Sequence, residues 1–276
     1  MGIGEVAALL GAGMAAGTIN TVVGSGTLIT FPTLLAFGYT PLVANVTNTV
    51  GLVPGSASGI HGYRAEIAQF RGGGRYRLAR LVAASTTGGT LGALLLFLLP
   101  AKAFKAIVPV LIGLALVLIV VQPRLSKRIA ARRAAREGAD GAEGAPGGVR
   151  QGGWGTVLAV FGTGLYGGYF GAAQGVLLMA ILGLTYGDGM QVLNGVKNVL
   201  ACVVNAIAAV VFIIVGAFGL GGSEHPSIQW GAALAIAVGA LVGGKIGASV
   251  GRRLPPKALR ALIIVVGLVA IGSMVL

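Results

Sequence analysis

Residues 6–63 contain no Asp, Glu, Lys or Arg. A run of that length suits one solvent, the hydrocarbon of a bilayer, where about 20 apolar residues make one helical crossing. Inside it lies Asn20-Thr-Val-Val-Gly-Ser-Gly-Thr-Leu-Ile-Thr-Phe-Pro32, where a glycine pair, a proline and several hydroxyls interrupt the apolar pattern. Backbone groups freed at membrane depth are tolerated only where protein or a water-filled cavity covers them. The segment therefore reads as a broken helix and a candidate substrate site.

Further charge-free intervals cover 81–101, 106–123, 151–187, 198–223, 225–244 and 261–276. Only 10% of the residues are charged and 55% are hydrophobic, against about 25% charged in soluble domains. The fold class expected is an all-α polytopic membrane protein of the cell (inner) membrane. The net charge of +13 does not point to nucleic acid, because the basic residues gather in three connections, the pattern of cytoplasmic loops beside anionic headgroups. Cys202 is the sole cysteine, which excludes a disulfide framework and a thiolate metal site. His61 and His225 sit near loop ends with no other ligands around them, so no metal and no cofactor is expected. No basic residue precedes the first apolar run, which lacks the n-region of a secretory signal and is expected to be retained.

In chain order, the sequence predicts a helix of about five turns, the break at Gly24-Ser-Gly26, and a short helical piece from about Thr27 to Phe37. A span over 41–62 follows, with Pro54 as a kink. The connection Arg64 to Arg80 holds five arginines and reads as cytoplasmic. Spans are expected at about 81–99, with small residues suited to close helix packing, and at about 105–122. Residues 123–153 carry seven basic and three acidic residues and read as a solvated linker, helical near Arg124 to Arg136.

From Trp154 the first pattern returns. Gly26, Gly38 and Asn45 match Gly175, Gly187 and Asn194 at one offset, and Gly88-Gly-Thr-Leu-Gly-Ala93 matches Gly243-Gly-Lys-Ile-Gly-Ala248 at a slightly larger one. The expected organisation is a first transmembrane repeat over 1–122, a cytoplasmic basic linker over 123–153 and a second repeat over 154–276. Each repeat has four main helices, the first followed by a broken segment, here Gly171-Ala-Ala-Gln-Gly175. Such duplications are common in secondary transporters, which bind substrate at the repeat interface. Inverted repeats put sixteen basic residues on the cytoplasmic side against two opposite, whereas parallel repeats give twelve against six. The positive-inside rule therefore favours inversion, with both termini outside.

Lys197, within Asn194-Gly-Val-Lys-Asn198, is the most informative residue. A charge inside a span usually faces the interior and marks a substrate or ion pathway, and an ammonium there suits an anion. The competing reading is snorkelling to the interface, since Lys197 lies only about two turns into its helix. Asn45, Thr47, Asn48 and Thr49 offer neutral donors at the equivalent positions of the first repeat. Asn20, Gly24, Ser25, Gly26 and Thr27 at the first break, with Gln174 and Gly175 at the second, would complete a ring around an oxyanion, helped by helix N-termini. The alternative for the hydroxyls is bonding to their own backbone. Lys245 reads as an interfacial lysine and Asp188 as a helix cap.

These residues resemble the sulfite exporter TauE/SafE family of membrane transporters. The resemblance is carried by Gly17-Thr-Ile-Asn-Thr-Val-Val-Gly-Ser-Gly26 with Pro32 and Gly38, by Asn45 to Asn48, and by Gly167-Gly-Tyr-Phe-Gly-Ala-Ala-Gln-Gly175 with Asn194 and Lys197. Gln174 stands where members of that family commonly carry glycine. What the resemblance implies is a transporter, not an enzyme, that exports or takes up sulfite, thiosulfate, sulfonates or related small organic anions. The alternative is a passive anion channel lined by the same residues. The partners expected are the small anion and the lipid bilayer, with the coupling ion and a homodimer left open.

Overall fold

The computed structural model describes residues 1–70, 74–140, 152–219, 227–249 and 256–275. Every regular element among them is helical. In the first half these are α1 (Ile3–Val22), α2 (Thr27–Ala36), α3 (Pro41–Gly62), α4 (Arg64–Ala68), α5 (Gly74–Leu98) and α6 (Ala101–Asp140). In the second they are α7 (Trp154–Tyr169), α8 (Gln174–Thr185), α9 (Met190–Phe218), α10 (Trp230–Ser249) and α11 (Pro256–Val275). Within α1, α5, α6, α9 and α10 lie stretches long and apolar enough to cross a membrane, and their outer faces expose Val110, Val117, Ile213 and Leu234 as lipid-facing side chains do. α3 has the length of a span but is more polar. Its Asn45, Thr47, Asn48, Thr49, Ser56 and Ser58 are all buried against other helices and do not face lipid.

The helix expected at 105–122 runs on to Asp140, so the linker begins as an extension of α6. The rest of that linker over 141–151, together with His225, Arg252 and Arg253, lies outside the described residues.

Both broken segments are hairpins that double back. Just past α2, the Tyr39 hydroxyl donates to the Glu5 carboxylate at 2.6 Å, so α2 returns to the end at which α1 started. That carboxylate, with burial adding, pushes the Tyr39 hydroxyl up to about 12, so it stays a donor at neutral pH. Tyr186, just past α8, likewise reaches the start of α7, where a Cβ on Gly152 would lie 2.5 Å from its hydroxyl. At 1.5 Å per residue, α2 is about 15 Å long, half of a ~30 Å hydrocarbon core.

Two glycine seams hold the hairpins. Along α1, Gly13 meets Ile236, Gly17 meets Ala240, and Gly247 meets Thr18 and Thr21, so α1 and α10 run parallel in contact. α3 also runs parallel to α10, with Gly51 against Ile236 and Gly55 against Ala240. In the other seam, Gly88 and Gly92 of α5 meet Phe161 and Leu165 of α7, while Gly164 and Gly168 return the contact to Ser85 and Gly89. α3 and α9 cross antiparallel, since Ser56 bonds Asn205 whereas Tyr63 and Ile67 pack on Gly195.

Backbones this close leave no room for a Cβ. A Gly92→Ala side chain would collide with the Leu165 carbonyl oxygen, so the variant is expected to lose about 1–3 kcal/mol by overpacking. Gly113→Ala, where nothing lies within 4 Å, should melt in detergent at or slightly above the wild-type midpoint.

Candidate functional site

Each hairpin breaks where the sequence places its glycines. α1 ends at Val22, Gly24 takes φ +86°, and α2 starts at Thr27. In the second half α7 ends at Tyr169, and Gly171 and Ala173 take φ of +77° and +58° before α8 starts at Gln174. The Tyr166 hydroxyl staples this turn by donating to the Ala172 carbonyl at 2.6 Å.

The two breaks touch. The Gly175 N–H donates to the Gly24 carbonyl at 3.0 Å, and a Cβ on either glycine would collide with the Cα of the other. One helix N-terminal donor is thus spent on the opposite break. Phe31 of α2 packs edge-on against Phe170 of the other break with ring centroids 5.2 Å apart.

Lys197 lies beside this junction, fully buried, which excludes the snorkelling reading. Its position on α9 places it on one helix face with Asn194 and Asn198, and that face meets the last turn of α1. A helix end leaves its final carbonyls without intrahelical partners and carries partial negative charge. The Lys197 side-chain nitrogen donates to the carbonyls of Asn20 at 3.2 Å and Thr21 at 3.1 Å. The amides of Asn194 and Asn198 donate to the same Thr21 carbonyl at 3.2 and 3.3 Å. Three donors from α9 therefore converge on one oxygen of α1. In the first half, the Asn45 amide similarly donates to the carbonyl of Tyr169, at the end of α7, at 3.0 Å.

The structure thus brings together Asn20, Gly24, Ser25, Gly26, Gln174, Gly175, Asn194, Lys197 and Asn198, with Asn45 reaching the second break. The side chains of Thr47 and Asn48 are engaged elsewhere. The Thr47 hydroxyl accepts the Gln229 backbone N–H at 3.1 Å, and Asn48 pairs with Thr30 and with Thr27 of α2. Thr49 bonds its own backbone at Asn45. The side-chain amide of Asn20 donates to Ser56, which also accepts from Asn205. Among residues of lesser expectation, Lys245 is exposed, and Gly189, not Asp188, occupies the N-cap of α9. No cluster of His, Cys, Asp or Glu able to hold a metal occurs among the described residues.

At the two breaks and on the helices that cap them, five buried polar atoms have no hydrogen-bond partner in the protein: Ser25 Oγ, Gln174 Nε2, Tyr169 Oη, Asn45 Oδ1 and Asn194 Oδ1. The first three can donate. Leaving such a group unpaired costs about 1–3 kcal/mol each, so several of them on the same two breaks call for a use. Tyr169 escaped the sequence reading, although it lies in the glycine-rich motif before the second break; an aromatic there looks like packing until its hydroxyl is seen buried. The site is closed. Ser25, Asn45 and Lys197 are at most 1% exposed, and a cleft of about 750 Å³ beside α2, lined by Pro32, Thr33 and Lys105, includes none of the junction residues.

Lys197→Met would leave the Asn20 carbonyl without its donor and Thr21 with two in place of three. The variant is expected to lose about 1–3 kcal/mol, read as a lower melting midpoint in detergent.

No curated protein and no solved structure matches the chain. A family model described as Sulfite exporter TauE/SafE matches residues 9–274, nearly the whole length.

Proposed function

Given that the chain belongs to the sulfite exporter TauE/SafE family of multi-pass membrane transporters, we propose that it is a secondary transporter of small sulfur-containing anions such as sulfite, thiosulfate or organosulfonates across the inner membrane. The observation that carries this reading is the presence of unpartnered buried donors at both breaks, on Ser25 at the first and on Tyr169 and Gln174 at the second, together with the buried Lys197 amine at the end of α1. Donors without partners and an amine that becomes a cation on protonation complement an oxyanion. Lys197, once protonated, supplies the charge. Asn194, Asn198 and Asn45, with Ser25 and Gln174, supply hydrogen bonds, and the glycines at 24, 26 and 175 let backbone approach the solute.

The same proposal includes two inverted repeats over 1–122 and 154–276, joined by the basic linker. Its support is the exchange symmetry of the packing. α1 lies on α10 as α7 lies on α5, and α2 lies on α11 as α8 lies on α6. The equivalents α3 and α9 run antiparallel, as an axis in the membrane plane requires. Arg64, Arg77, Arg80 and Lys245 fall at the ends of α3, α5 and α10 that share one side, whereas Lys102 and Lys105 open α6, which favours the first side as cytoplasmic. The glycine contact that closes the junction favours a carrier over a passive channel.

Reconstituted in liposomes, the protein is expected to take up labelled thiosulfate or sulfite in a saturable manner. Lys197→Ala should lower uptake by at least about tenfold, since a buried charge-assisted contact is worth about 1.5–3 kcal/mol. Uptake that never saturates would favour the channel, and normal uptake by Lys197→Ala would remove the charge assignment.

A further inference from the structure

The hydrogen-bond valence of Lys197 bears on how transport is driven. Its amine is fully buried and bonds two acceptors, the carbonyls of Asn20 and Thr21. A neutral amine has two N–H groups and a lone pair, whereas an ammonium has three N–H groups. Two acceptors therefore match the neutral amine. The ammonium would bring a third donor and a full charge into a site where an unpaired charge is strongly disfavoured.

The surrounding elements do not supply the missing anion. α1 presents carbonyls, with Glu5 at its far end. α3 carries His61 and is followed by Tyr63, α4 carries Arg64 and Glu66, and α5 carries Arg77 and Arg80. α7 brings Tyr166 and Tyr169, α8 brings Gln174 and no ionisable group, and α9 itself has Cys202. Asp188 sits in the turn before α9. Glu66 and Asp188 have contacts of their own, and the bonds of the Lys197 amine go to carbonyls. The Thr21 carbonyl is also oversubscribed, with three donors on an oxygen that has two lone pairs. One donor can turn toward a ligand while the carbonyl keeps its partners.

We propose that Lys197 carries the coupling proton. In the empty, closed site it is the neutral amine. It takes up one proton as the anion arrives, donates its third N–H to an anion oxygen, and gives the proton up when the anion leaves. One proton and one negative charge enter and leave together, so a monovalent anion crosses in an electroneutral step. This inference rests on the anion-transport reading above.

The test uses proteoliposomes of the full chain loaded with a fluorescent pH indicator, and methanesulfonate and thiosulfate as probes. Both stay ionised through the neutral range, so any proton moved is the protein's. Inward methanesulfonate flux should acidify the lumen with one proton per anion and should be indifferent to an imposed membrane potential. Lys197→Arg keeps its charge permanently. It should still be stabilised by the probe in a thermal-shift assay, but with the proton flux gone and any remaining anion flux driven by potential. Wild-type uptake of either probe without acidification, or an unchanged proton-to-anion ratio in Lys197→Arg, would overturn the inference. No uptake of any sulfur anion by the wild type would overturn the transport reading itself, and this inference with it. The wild-type stoichiometry decides alone should Lys197→Arg not fold.

Discussion

Peptide groups cannot be left unpaired in hydrocarbon, and this chain frees several by breaking two helices in the middle of apolar runs. They are satisfied by the opposite half. The Gly24 carbonyl takes the Gly175 N–H, the end of α1 takes Lys197, Asn194 and Asn198 from α9, and the end of α7 takes Asn45 from α3. Neither hairpin is complete without the other. The glycine seams follow from the same need, because only bare backbone lets α10 and α5 hold the hairpins close enough for these bonds to form.

Under the proposed transport, that arrangement would join stability to function. Asn45 and Asn194 cap helix ends through their amide nitrogens and each keeps a side-chain oxygen without a partner, so these side chains would be held in place before a solute arrives. Access is the remaining requirement. Because the junction is buried, the proposed solute would reach it only if one hairpin parted from the other. Each seam is a continuous parallel contact, α1 with α10 and α5 with α7, so a hairpin would move with the helix it is zipped to and not alone. Hinged rigid bodies around a fixed central site are how repeat-built transporters expose the site to one side at a time.

Much of this was legible in the sequence because lipid imposes simple arithmetic. The charge-free run over 6–63, the glycines at 24 and 175 and the lone lysine at 197 each have few meanings inside a bilayer. The bounds of α2 and α3 fell within a residue or so of the sequence reading, since proline and glycine mark helix ends by backbone chemistry alone. What stayed hidden was partnership across the chain. The partners of Lys197 lie on α1 in the other half, so sequence alone could not decide between burial and snorkelling. For the same reason Thr47 looked equivalent to its neighbours until Gln229, just before α10, was seen to occupy its hydroxyl. Tyr169 gave no polar signal because a tyrosine in a span reads as packing. The extension of α6 to Asp140 shows the converse, where alanine and arginine propensity carried a helix beyond the end of the apolar span.

The central claim is that the two breaks meet inside the protein. A Phe31→Cys/Phe170→Cys pair in a Cys202→Ala background tests it most directly, because these two side chains face each other across the breaks with ring centroids 5.2 Å apart. A short membrane-permeant bis-maleimide is predicted to link these positions within one chain of the reconstituted protein, seen by mass spectrometry of the digest. Two separately modified thiols under conditions that link an adjacent control pair would contradict the account.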